Sequence, residues 1–327
     1  MTATVATSLL DVRDLTVEYR SGRRRPPLRA VDGVSFSIAP RETVGLVGES
    51  GSGKSTIGRA ILGLTPVKSG TVTLDDTDIS HVPLRARRAL SARLQAVFQD
   101  PYSSLNPART IGETLAESLR RQSLGRQEVT AKVTGMLERV GLPATAADRY
   151  PAQFSGGQRQ RIAIARALVV RPALVICDEA VSALDLSVQA QVLNLLRELQ
   201  GDFDLSYLFI SHDLTVVHHV AHRIVVLYRG RIMESGPASA VYERPAHPYS
   251  RALLAAAPVP DPARQRARRA ATVARPVATG TPLSSDSCYF APRCPYAVET
   301  CRTRRPAPET TPDGVTVACH RWKELRS

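Results

Sequence analysis

The chain has 327 residues, 43% of them hydrophobic and 22% charged, enough apolar material for a packed core in one large domain with a smaller appendage. Its longest apolar stretches, 173–177 and 224–228, are strand-sized against the ~20 residues of a membrane span, and residues 1–10 lack a basic start before their apolar stretch. No bilayer crossing and no secretory signal are therefore expected, and the net charge of +13, scattered in clusters at 23–25, 85–88, 264–269 and 302–305 without interleaved aromatics, fits a basic surface facing anionic lipid better than a nucleic-acid binder.

Strands are predicted over 10–19 and 34–38, and 43–47 is a short apolar run entering a Gly-rich turn. A helical pattern follows over 54–62 and stops at Gly63. Between Pro101 and Gly141 the chain becomes helical, with apolar residues three and four apart over 111–119 and 129–140, so 101–165 is taken as a helical insertion. Beyond it come a helix over 158–169, a buried strand over 174–178, a helix over 187–199 and a strand over 207–211. This alternation predicts an α/β domain over 8–257 with a largely parallel sheet covered on both faces. After Pro258 the composition shifts to Pro, Ala and Arg, which predicts a linker over 258–281 and a small Cys-bearing extension over 282–327.

Gly48-Glu49-Ser50-Gly51-Ser52-Gly53-Lys54-Ser55 matches the phosphate-loop pattern and lies between a predicted strand and a predicted helix, as its mechanism requires. Glycines let backbone N–H groups face inward, and the next helix offers its positive end to phosphates. Lys54 is expected to reach the β- and γ-phosphates of ATP and Ser55 to ligate Mg2+, with Ser50 and Thr56 completing the cradle. A chance Gly/Ser-rich turn is the bland alternative. The apolar strand that ends in Asp178 and Glu179 supports the functional one: Asp178 as a metal partner, Glu179 as general base for the attacking water.

With these in place, the sequence resembles the ABC ATPase family: a P-loop cassette with a helical insertion subdomain. Ser155-Gly156-Gly157-Gln158-Arg159 resembles the signature motif, which in that family holds the γ-phosphate of the opposite subunit. Gln99 resembles the Q-loop glutamine that helps ligate Mg2+ and water. Asp185, in Ser-Ala-Leu-Asp, resembles the D-loop aspartate, His212 the switch histidine at the γ-phosphate, and Tyr19 the aromatic that stacks on adenine.

Within the family, Gln-Asp-Pro-Tyr-Ser-Ser-Leu-Asn-Pro at 99–107, His-Pro-Tyr-Ser-Arg-Ala-Leu at 247–253 and the cysteine-bearing tail resemble ATPase subunits of oligopeptide, dipeptide and nickel importers, nearer the F-type than the D-type chain. The resemblance implies a peripheral subunit at the cytoplasmic face of the cell membrane, driving peptide import. Its implied partners are a second, homologous D-type ATPase, two permeases and an external substrate-binding protein, with no nucleic acid. The solute is not encoded here, because selectivity lies in the binding protein and permeases.

Five cysteines remain. Cys177, inside an apolar strand, is expected to be a core residue. Cys288, Cys294, Cys301 and Cys319 are expected to bind a metal, since structural disulfides are rare in the cytoplasm. Their spacing decides neither zinc nor an iron-sulfur cluster. The importer tail they resemble implies a structural 4Fe-4S cluster, with Zn2+ as the alternative. A soluble ABC ATPase of repair or translation is disfavoured because no duplicated cassette or coiled-coil insertion is seen, and a non-hydrolysing sensor because Glu179 and His212 are both present.

Overall fold

Thr43–Val47 is buried at every position, as a strand covered on both faces must be. The structure, a computed structural model, describes residues 8–20, 27–100, 105–256 and 286–326. The expected linker over 258–281, the basic clusters at 23–25 and 264–269, and residues 101–104 of the importer-like stretch lie outside the described residues.

Two sheets organise the chain. Strands β1 (Leu10–Tyr19), β2 (Leu28–Ile38), β4 (Ser69–Leu74) and β5 (Thr77–Asp78) form an antiparallel sheet in the order β2-β1-β4-β5. Strands β3 (Thr43–Val47), β6 (Leu94–Phe98), β7 (Leu174–Asp178), β8 (Ser206–Ser211), β9 (Arg223–Tyr228), β10 (Arg231–Pro237), β11 (Glu309–Thr310) and β12 (Thr316–Val317) form the second, in the order β11-β12-β10-β9-β3-β8-β7-β6. Neighbours from β9 to β6 are parallel, and the three strands at the other edge pair antiparallel.

The period of two along the parallel strands divides the interior into two cores. Val44, Leu46, Ile176, Leu208 and Ile210 face one side, where they meet the helix Lys54–Leu62 and the antiparallel sheet. Val47, Val175, Cys177, Tyr207 and Phe209 face the other, beneath the helices of the second half of the chain. The insertion contributes helices Ile111–Leu119 and Arg126–Arg139, which pack on each other and on the helix Gly156–Leu168.

The expected parallel α/β sheet is present, with two differences. The strands predicted at 10–19 and 34–38 form the separate antiparallel sheet, and β2 is longer than its apolar end suggested. Helices also start earlier than their apolar periods. Ser155 and Asp185 accept hydrogen bonds from the first-turn N–H groups of Gly156–Leu168 and Leu186–Phe203, so capping sets both starts.

Among the described residues, the C-terminal extension has no core of its own. Phe290, Ala291 and Val315 are buried in the helix-side core, and β12 adds to β10 with Val317 opposite Glu234. Among the described residues, no helix is long and apolar enough to cross a membrane.

Candidate functional site

Four parallel strands end side by side, and one candidate residue follows directly on each. β3 leads into Gly48, β8 into His212, β7 into Glu179 and β6 into Gln99. The register places Val47 beside Ser211, Asp178 beside Ile210, and Phe98 beside Asp178. Carboxyl ends of adjacent parallel strands are where open α/β sheets bind ligands.

The loop after β3 is shaped by glycine. At Gly53 φ is 103°, and a Cβ there would lie 2.4 Å from the Ala30 carbonyl oxygen, so only glycine fits. A Cβ at Gly48 would stand 2.1 Å from the Leu227 carbonyl oxygen. No side chain caps the helix Lys54–Leu62, so its first N–H groups are left to the loop and to whatever the loop holds.

Lys54 is buried, with Nζ donating to the carbonyl oxygens of Gly48 at 2.7 Å and Glu49 at 2.9 Å. Burial lowers its pKa, while the charges of Glu179, Asp178 and Glu49 act to raise it. Ser55 Oγ donates to Asp178 Oδ1 at 2.8 Å, and burial pushes the Asp178 carboxyl above its ordinary range. An ammonium resting on neutral carbonyls beside two carboxylates is electrostatically incomplete. A polyphosphate would satisfy the ammonium and loop amides, and the hard oxygens of Ser55 and Asp178 suit Mg2+, which takes one or two carboxylates together with substrate phosphates.

Glu179 holds φ at 50°, unusual for a residue with a side chain, and its N–H donates to the Ile210 carbonyl at 3.0 Å. The His212 imidazole stands 3.6 Å from its carboxylate. Gln99 is exposed at the end of β6. Tyr19, 38% exposed, places its hydroxyl 3.4 Å from Thr56 Oγ1, against the first turn of the helix after the loop.

Ser155, Gly156, Gly157, Gln158 and Asp185 lie outside this row of strand ends. Ser155 and Gln158 close a capping box on an exposed helix start. Asp185 caps the neighbouring helix, and a Cβ on Gly157 would come within 2.6 Å of Val188 there, so glycine allows the two helix starts to touch.

Two residues that sequence reasoning gave no role also touch the loop. Tyr249 Oη accepts the Glu49 N–H at 2.8 Å, and Arg293 donates to both Glu49 carboxylate oxygens, at 2.7 and 2.8 Å. Arg293 stood in the sequence only as the neighbour of Cys294, so no local pattern pointed to the phosphate loop.

The expected metal centre at Cys288, Cys294, Cys301 and Cys319 is corrected. Among the described residues, no group of three or more His, Cys, Asp or Glu is placed to hold a metal ion, so neither the 4Fe-4S cluster nor the zinc alternative is supported. The four cysteines line one small cavity with Phe290 and Tyr296, as free thiols. Burial raises the Cys288 thiol and pushes Cys294 to about 12 and Cys319 to about 11. A cross-link is also unnecessary where the segment is packed into a larger core. Cys177 is fully buried and its thiol is raised to about 12, as a core residue's should be.

Comparison with known proteins identifies the family and the fold. Residues 31–182 match the family described as ABC transporter, and residues 233–301 the family described as oligopeptide/dipeptide transporter, C-terminal region. A probable peptide ABC transporter ATP-binding protein of Sinorhizobium fredii is 47% identical over 96% of this chain and 90% of its own length. A putative peptide import ATP-binding protein of Brucella abortus is 49% identical over 94% of this chain and 91% of its own. Among solved structures, cbiO1 of Clostridium perfringens, part of the ABC transporter complex cbiONQ, aligns with a TM-score of 0.65 at 25% identity, over 72% of this chain and 91% of that one. A dimeric ATP-binding cassette in a post-hydrolysis state, bound to ADP and Pi, aligns with a TM-score of 0.63 at 27% identity, over 70% and 98%.

Proposed function

The chain belongs to the ATP-binding subunits of peptide ABC transporters, and from that membership we propose how its residues divide the work. The subunit binds and hydrolyses ATP to power peptide import, as a peripheral protein at the cytoplasmic face of the membrane. The observation that carries the assignment of residues is the row of Gly48, His212, Glu179 and Gln99 at the ends of adjacent parallel strands.

In this assignment the amides of the loop around Gly48, Ser50, Gly51 and Gly53, with Thr56 and the helix end, cradle the triphosphate. Lys54 turns from the Gly48 and Glu49 carbonyls to the β- and γ-phosphates, exchanging neutral acceptors for charged ones. Ser55, Asp178 and Gln99 would hold Mg2+, which would supply positive charge against the negative charge of the phosphates. Glu179 accepts the proton of the attacking water, His212 beside it contacts the γ-phosphate, and Tyr19 stacks on adenine. Ser155, Gly156, Gly157, Gln158 and Asp185 serve a nucleotide held by a second ATPase, because their helix starts are exposed and stand outside this chain's own row. The dimeric cassette bound to ADP and Pi supports that arrangement by likeness. A homologous D-type ATPase, two permeases and an external binding protein complete the proposed transporter.

Residues 8–257 and 282–327 are proposed as cassette and extension in the sense of chain segments, since the described part of the second shares the core of the first. Vesicles carrying the assembled transporter should take up peptide when ATP is supplied. Ser155→Arg in this subunit should stop uptake while the purified chain still binds ATP. A lone chain that hydrolyses ATP at the complex's rate, untouched by Ser155→Arg, would refute the shared site.

A further inference from the structure

Glu49, inside the phosphate loop, is held from three directions. Its carbonyl accepts from the Lys54 ammonium at 2.9 Å, its N–H donates to the Tyr249 hydroxyl at 2.8 Å, and its carboxylate receives both arms of the Arg293 guanidinium at 2.7 and 2.8 Å. Arg293 comes from the C-terminal extension, 244 residues further along the chain. It closes the short turn Ala291–Arg293, which is seated by Phe290 packing edge-on against Tyr228 at 5.3 Å and tilted against Tyr249 at 5.3 Å.

We propose that Arg293 is a positioning residue for the nucleotide site: it neutralises and holds Glu49, and so sets how tightly the phosphate loop binds ATP. The inference rests on the assignment of that loop to the triphosphate. Three observations support it. First, the pair is 48% exposed on the arginine side and 42% on the glutamate side, and exposed ion pairs add little to folding. Second, the extension is fixed elsewhere without this pair: Tyr289 Oη donates to Asp32 at 3.0 Å, Arg326 Nε donates to the Arg244 carbonyl at 3.2 Å, and β12 pairs with β10. Third, Arg229 and Lys54 reach the Glu49 carboxylate only through space, so without Arg293 a carboxylate stands nearly bare beside the place of a polyanion. The charge of Glu49 would then oppose phosphate binding, and its peptide group, which carries the Lys54 perch, would lose one of its two outer restraints.

The test is equilibrium binding of ATP, ADP and AMP to the full-length chain. Arg293→Ala should weaken ATP binding roughly three- to tenfold, the range of one lost charge-assisted contact acting through a neighbour. The loss should shrink from ATP to ADP to AMP, a gradation that a loosened fold would not produce. Arg293→Lys should recover part of the affinity, keeping the charge but losing the fork. In a Glu49→Gln background, Arg293→Ala should cost less than about twofold, because the charge it balances is gone. ATP affinity unchanged in Arg293→Ala, a loss equal for all three nucleotides, or a loss undiminished by Glu49→Gln would each overturn the proposal. Lys54→Ala, measured alongside, separates the two layers: intact ATP affinity there removes the phosphate-loop assignment itself, whereas a silent Arg293 with a damaged Lys54→Ala removes only the proposal.

Discussion

The phosphate loop with its row of strand ends, and the C-terminal extension laid over it, are built in opposite ways. In the row, each residue follows directly on the strand that places it, so its signal is local even though the strands themselves pair across long stretches of chain. In the extension, each anchoring contact joins residues far apart: Arg293 to Glu49, Tyr289 to Asp32, Val317 opposite Glu234. The first region can be recognised from a short pattern, and the second only from where its side chains land. Chemistry in such a molecule is locally written, while its tuning is written across the whole chain.

The largest effect should come from within the row. Glu179→Gln should lower ATP hydrolysis in the assembled complex by about a thousandfold, within the range of general-base catalysis, and leave ATP binding close to wild type. Turnover at the wild-type rate would take the proton-accepting role from Glu179. Next, Lys54→Ala should weaken ATP binding on the order of tenfold to a hundredfold, the equivalent of a lost hydrogen bond between charged groups. A titration that cannot tell the variant from wild type would break the contrast at its strong end.

The smallest effect belongs to the seam between the two regions. His247 is fully enclosed, its Nδ1 accepts the Tyr249 N–H at 3.0 Å, and its ring meets Phe290 and bonds the Ala318 carbonyl of the extension. Burial lowers its pKa from 6.5 to about 3. As pH falls below 6.5, the unfolded chain therefore takes up a proton that the folded chain refuses until about pH 3. From pH 6.5 to 5.5 that uptake should lower stability by about 1 kcal/mol. Buried Glu234, whose pKa is raised by burial, contributes with the opposite sign above 4.5, so the quantity to measure is the difference between wild type and His247→Asn in denaturant unfolding at several pH values. Parallel curves for the two proteins would remove His247 as the source of acid sensitivity.

Much of the row was legible in the sequence because its signals are local. The apolar run at Thr43–Val47, the glycine spacing after it and the two carboxylates closing Leu174–Asp178 are each complete within a few residues. The helix starts at Ser155 and Asp185 are also set locally, by side chains that accept from their own first turns, although the apolar periods placed both starts late. The antiparallel sheet was hidden because alternation in β1 states that one face is buried but not which partner covers it. The extension misled for a related reason. Four cysteines in a segment poor in apolar residues suggested a cross-linked centre, whereas Phe290, Ala291 and Val315 are packed into a core supplied by residues far upstream. Spacing marks a set of cysteines, and the fold gathers these four around one small cavity without placing three of them to hold a metal.

The pairing of β12 with β10 bears on how the protein behaves in a crowded cell. A seven-residue strand at a sheet edge offers a ladder of free N–H and C=O groups, a template on which another chain can pair and aggregation can begin. Here the extension occupies part of that ladder through Glu234 and Ser235, and the sheet closes instead on β11. That last strand is two residues long, and one of them is Glu309. It is too short and too charged to recruit a neighbour, so the segment that reaches back to the phosphate loop also shields the sheet from its own kind.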